Sequence, residues 1–304
     1  LQGMARNAGS FLAYQRAASY LSPVGMFGEL TGGLSYIHAV DDFFEQFDKR
    51  AGDLAADLQL LASLLFRKGN LIIAVTCSRD DFEVFAKEIG NLVGRLGDGE
   101  AKIQPFDPKP EARNEGLLAP SKVQYVYRAA DYTKLGYGWR GRMEVLRQIL
   151  SRDYLTQEIR IKGGAYGAWA GFTRDGLAYF GSYRDPNLKK TLDAFDGAST
   201  YLEKFAPSDM EMTRFIIGTI ARLDHPKTPS QKGEVAVSYH LRGVTQRQRQ
   251  AERDEILATR QQHVRELARM IKDILSHSVL CVYGNEKILQ ENKKLFERLV
   301  KVVD

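Results

Sequence analysis

Apolar positions from Ala51 to Phe66 recur at helical spacing, with Leu54, Leu58, Leu61 and Leu65 on one face. A continuous apolar run, LIIAVTC from Leu71 to Cys77, then predicts a buried strand, and Asp81 to Leu96 a second helix. The same order returns near the end of the chain. Val264, Leu267, Ile271 and Ile274 share one face of a helical pattern ending at Leu275, the run SVLCVYG follows as a buried strand, and Glu286 to Val300 reads as a helix. Aligning Leu71 with Val279 sets the two copies 208 residues apart, which predicts an internal repeat with only the end of its first copy inside the chain.

Between the copies, the pattern changes several times. Gly97 to Pro120 is rich in glycine, proline and charge and lacks sustained periodicity, so a linker over 99–120 separates domains at 1–98 and 121–304. KVQYVYRAAD alternates as a strand does, and a long helix follows from about Trp139 to Leu155. GAWAGF and LAYFGSY flank the turn TRDG as a hairpin. Asp185-Pro186-Asn187 opens a helix through Phe195, with proline at a tolerated first-turn position, and a further helix covers Ser208 to Leu223, ended before His225-Pro226. Strands, hairpins and helices mixed in this way predict an α+β fold: two related domains, each a mainly antiparallel sheet covered by helices on one face, the first truncated.

A length of 304 residues fits two domains, and 44% hydrophobic with 27% charged residues is the composition of an ordinary soluble globular protein. The net charge of +5 is spread thinly. The densest basic stretch, Arg242 to Arg269, alternates with Glu252, Asp254, Glu255 and Glu266, which reads as a solvated helix face and argues against a nucleic-acid partner. No apolar run is long enough to span a membrane, and no signal peptide is visible. Both cysteines, Cys77 and Cys281, lie in apolar runs, and two buried thiols suit a reducing compartment better than a disulfide framework. The chain begins at Leu1 without an initiator methionine, which raises the expectation of a piece of something larger.

Self-contained catalytic motifs are missing. None of His38, His225, His240, His263 and His277 lies in an HxxEH or HExxH pattern; at His263 a leucine, Leu267, stands where the second histidine of HxxEH would be. Ser151, Ser182 and Ser238 lack a nucleophile elbow. The stretch Lys162-Gly163-Gly164-Ala165-Tyr166-Gly167 matches neither phosphate-loop spacing, and paired glycines serve equally as a turn or a close backbone approach. A plain turn, however, needs neither Arg160 nor Tyr166. Together they place a cation and a phenolic donor a few residues apart, able to polarise a carbonyl if another part of the protein supplies the nucleophile.

IRIKGGAYGAWAGF, LAYFGSYRDPNLKKTLDAF, LSPVGMFGELTGGLSY and GLLAPSKVQYV together resemble the C-terminal half of the insulinase-type (pitrilysin/insulysin) zinc metallopeptidases, most closely the presequence protease branch. The resemblance implies four related α/β domains in two halves that close around an unfolded peptide, with this chain holding the end of the third and the whole fourth. It implies that zinc is bound by HxxEH and a distal glutamate in the N-terminal half, absent here, leaving this chain without a metal and inactive alone. By motif, Arg160 and Tyr166 are the residues that contact the substrate backbone and steady the oxyanion, with Gly163 and Gly164 forming the turn beneath them. The implied partners are the N-terminal half and an unfolded peptide, in a bacterial cytoplasm or alternatively a mitochondrial matrix. A non-catalytic homologue serving as scaffold or peptide-binding subunit is the other reading; retention of both Arg160 and Tyr166 leans against it.

Overall fold

The computed structural model describes residues 8–99 and 105–302. Two compact units are present: one comprises Leu1–Asp41, Asp107–Leu223 and Gln250–Asp304, the other Asp42–Phe106 and Asp224–Arg249.

The first unit is built on a six-stranded sheet of β1 (Glu115–Ala119), β2 (Tyr125–Asp131), β3 (Gly167–Phe172), β4 (Leu177–Tyr183), β5 (Val279–Asn285) and β6 (Arg298–Lys301), in the order β3-β4-β2-β5-β1-β6. Pairings β3/β4, β4/β2 and β2/β5 are antiparallel, whereas β1 runs parallel to both β5 and β6. Alternation along the strands divides them between two cores. Val126, Ala130, Phe180 and Val282 face helices Arg142–Ile149, Lys189–Asp196, Ala198–Glu203 and Ala268–Ser276. Tyr125, Tyr127, Cys281 and Tyr283 join the other core with Leu12, Ala13 and Ala17 of helix Gly9–Ser19.

Helices therefore cover both faces rather than the single face that the pattern predicts, because the second face is too apolar to be left to water. The covering segment is pinned by a buried charge cluster. Arg16 bonds Glu115 of β1 at 2.6 Å and Glu29 at 2.7 Å, both carboxylates being nearly inaccessible, and the Tyr20 hydroxyl donates to Glu115 at 2.5 Å. Removing one member of such a cluster strands a buried charge, at a cost of about 3–5 kcal/mol. Glu29 sits in helix Pro23–Gly32, which Ser22 caps by accepting the Gly25 N–H at 3.1 Å, with Pro23 in the first turn.

Several elements depart from the pattern. Within the supposed linker, Glu115–Ala119 is an internal, wholly buried strand. Five residues of parallel strand, buried on both faces, leave no alternation to read. The helix from Glu286 stops at Glu291, and after a 3₁₀ turn at Lys293–Leu295 the chain joins β1 as β6. Helix Arg142–Ile149 does not end near Leu155: it continues as π-helical turns at Leu150–Tyr154 and Thr156–Ile161.

In the second unit, helices Phe47–Leu65 and Arg79–Val93 form near the predicted positions, but Leu71–Cys77 is not a strand and Cys77 is exposed. A strand exists only by pairing, and no described residue supplies a ladder for this run. Leu58, Leu61 and Leu65 are exposed as well, and of the predicted apolar face only Leu54 is half-buried. No described helix is long and apolar enough to cross a membrane.

Candidate functional site

Arg160 lies in the last π-helical turn, where the Lys162 N–H donates to the Gln157 carbonyl at 3.0 Å, a five-residue step. Wide turns of this kind recur at functional positions. Termination is abrupt: the Gly164 N–H donates to Arg160 O at 3.0 Å and the Ala165 N–H to Ile159 O at 3.1 Å. Gly164 adopts φ +78, the left-handed conformation that glycine takes without penalty. A Cβ on Gly163 would stand 2.5 Å from the Ile159 carbonyl oxygen, so both glycines are dictated by the backbone.

The chain then turns into β3, with the Tyr166 N–H donating to Tyr183 O at 3.1 Å. This reversal folds Tyr166 back beside Arg160, the guanidinium carbon 6.0 Å from the ring centroid. Both side chains are exposed, Tyr166 to 68%. Two hydrogen-bond donors, a fixed cation and a neutral phenol, thus face solvent from one rigid turn, suited to a carbonyl or developing oxyanion.

Asp185-Pro186-Asn187, which the pattern places only at the start of a helix, supports this turn from below. The Asn187 side-chain amide donates to Gly163 O at 2.6 Å, and its backbone N–H donates to Asp185 Oδ1 at 2.9 Å. Asp185 is fully buried; its Oδ2 accepts from the Thr191 hydroxyl at 2.6 Å, and its backbone N–H and C=O pair with Gln124 at 2.9 and 2.7 Å. Gln124 is buried too, and its Oε1 accepts the Asn285 N–H at 2.9 Å. Turn, motif and the ends of β2 and β5 are therefore one hydrogen-bonded block. An aspartate followed by proline in a turn is the sequence signal for such an Asx turn, in which the carboxylate takes the backbone N–H two residues on. Arg184, immediately before it, holds φ +48, a strained value for an arginine.

A second feature unread in the sequence is an aromatic row. Rings of Tyr283 and Tyr125 are 5.7 Å apart, Tyr125 and Tyr183 5.2 Å, Tyr183 and Tyr166 5.8 Å, all edge to face. Tyr166 is the exposed end of that row. Tyrosines at alternate positions of the strand runs were its signal.

Three of the histidines make local contacts. His263 Nδ1 accepts the Arg260 N–H at 3.1 Å at the start of helix Gln261–Glu266, His38 Nε2 lies 3.2 Å from Val302 O, and His277 Nδ1 lies 2.9 Å from Asp273 O. Among the described residues no group of three His, Cys, Asp or Glu side chains could hold a metal ion.

Residues 114–283, which contain the glycine turn, its Asx support, strands β1 to β4 and most of β5, match the family described as the PreP C-terminal domain. The chain belongs to this family. It is 36% identical over its whole length to Protein HypA of Clostridium perfringens, spanning 31% of that protein, and 29% identical over 89% of its length to Presequence protease 1 of Arabidopsis thaliana, spanning 25% of it. The chain thus spans about a third or less of these relatives. A solved structure of a protease from Helicobacter pylori aligns with 75% of the chain and 59% of its own at a TM-score of 0.53 and 13% identity, a likeness of fold. The insulinase-type family and its presequence protease branch, which the motifs resemble, are where these matches fall.

Proposed function

We propose that this chain is the substrate-clamping C-terminal half of a zinc metalloendopeptidase that degrades unstructured peptides in a closed chamber, with Arg160 and Tyr166 as its contribution to the reaction. One observation carries the reading: an exposed guanidinium and an exposed phenol, 6.0 Å apart, on a turn that both glycines and a buried Asx motif hold rigid. Such preorganised donors favour the charge that develops on a peptide carbonyl as it becomes tetrahedral. Arg160 supplies a permanent positive charge and Tyr166 a hydrogen bond, while the aromatic row behind Tyr166 limits its motion. The described residues offer zinc no ligand set, so in this reading the metal and the N-terminal half that binds it lie outside them.

In the full-length protein, Tyr166→Phe and Arg160→Ala should each lower kcat on an unfolded peptide by about 10- to 1000-fold, the range of a lost oxyanion donor, with KM changing less. Wild-type turnover in both variants would overturn the assignment.

A further inference from the structure

In the second unit, the run Leu71–Cys77 is neither helical nor part of a sheet, and the residues at its two ends, Leu71 and Ser78, have extended backbone. From Ile72 to Cys77 no backbone N–H or C=O has a hydrogen-bond partner among the described residues. Ile72, Ile73 and Val75 are exposed, and no charged residue or proline lies between Lys68 and Arg79. Open strand edges are ordinarily defended by charge or proline, because β-branched apolar residues beside free N–H and C=O groups recruit another strand. With Ile72, Ile73, Val75 and Thr76 in seven residues and neither defence, this run is built to be paired.

Its surroundings reproduce those of β5. Each run follows a helix and ends at the cap of the next one: Ser78 accepts the Asp81 N–H at 3.2 Å and Asn285 the Ile288 N–H at 3.1 Å, one position from the 208-residue offset. β5 has a ladder on each side, antiparallel to β2 and parallel to β1. Beside Leu71–Cys77 a helix occupies one face, where Thr76 lies so close to Gly233 of helix Pro229–Leu241 that a Cβ there would clash with its Oγ1. Both lateral edges, where ladders form, are free of described residues. Leu61, Leu65, Phe82 and Leu92 on the helices of the same unit are exposed too, apolar surface of the kind that helices bury against a sheet.

We propose that Leu71–Cys77 is an internal strand of a second sheet whose two neighbouring strands come from the same polypeptide upstream of Leu1, one antiparallel and one parallel, as β2 and β1 flank β5. The chain spans about a third or less of its relatives, so polypeptide enough for both strands lies outside it. The repeat offset puts them about 75–95 residues before Leu1. Hydrogen exchange of the full-length protein, followed by mass spectrometry, tests this. Ile72 to Cys77 should exchange as slowly as Val279 to Tyr283, at least about a hundredfold slower than an unstructured peptide of the same sequence. Consecutive N–H groups of a strand point to opposite edges, so Ala74→Pro and Val75→Pro, made separately, each remove a ladder bond from an internal strand, whereas an edge strand tolerates one of them. Each should speed exchange at least about tenfold in that upstream segment while β2 and β5 stay slow. Cys77→Pro, at the end of the run, replaces a variant that fails to fold. Rapid exchange of the run in the wild type, protection lost on dilution as pairing with a second copy would be, an effect from only one or neither proline, or loosening confined to residues of this chain would overturn the proposal. No readout involves turnover, so the outcome is independent of the role given to Arg160 and Tyr166.

Discussion

Asn187 touches no substrate in the proposed reaction, yet its amide holds the Gly163 carbonyl at 2.6 Å and thereby sets where Arg160 and Tyr166 point. Asn187→Ala removes that donor and leaves a part-buried carbonyl without it. Stability should fall by about 1 kcal/mol in urea denaturation, and turnover of the full-length protein by several-fold through misplacement of the two donors. A variant as active as wild type would show that the turn holds its shape without this bond. Arg160 and Tyr166 were legible as a pair because of their chemistry and spacing; Asn187, Asp185 and Gln124 were not, because their value lies in contacts spanning 24 to 161 residues of sequence. Cys77 illustrates the opposite error. An apolar neighbourhood in sequence suggests burial, but its run finds no ladder among the described residues, and the thiol is exposed while Cys281, on β5 two strands in from the nearer edge strand, is fully enclosed.

At the scale of elements, the decisive piece is the helical segment that widens after Ile149 and stops at Gly164. Ser151 in this segment ties it to β3: its hydroxyl accepts the Ala170 N–H at 3.0 Å and lies 3.3 Å from Ala170 O, occupying the outer edge of the sheet. Gly164→Ala places a side chain at φ +78 and should cost about 1–2 kcal/mol. Gly163→Ala should cost more, since its Cβ meets backbone oxygen that cannot move without unwinding the turn. Denaturant melts of the two variants check the order; equal stabilities would mean that the helix end relaxes freely. The hairpin β3–β4, strands β2 and β5 and helix Asp209–Leu223 were readable because each has its own periodicity or turn signal. β1 and β6 were hidden, being short parallel strands whose identity comes from the neighbours they pair with.

For the molecule as a whole, chemistry and scaffold separate. The sheet unit is tightly cored on both faces, whereas helix Phe47–Leu65 of the other unit has no buried residue. In the reading proposed above the metal belongs to the N-terminal half, so this chain is expected to do nothing to a peptide bond by itself. Expressed alone and supplied with zinc, it should leave an unfolded peptide intact over hours in a mass-spectrometric assay. Robust cleavage that a chelator abolishes would place a metal site within this chain and overturn the division of labour proposed above.

The sequence by itself determined the α+β class, the hairpin, the main helices and the pairing of Arg160 with Tyr166 across two glycines, since all of these rest on local periodicity, turn chemistry and residue type. Only the tertiary structure decided that the linker contains an internal strand, that the first helices cap the tyrosine-bearing face, and that Asp185 and Asn187 brace the glycine turn. Those depend on hydrogen bonds and burial between distant segments, which no local pattern encodes.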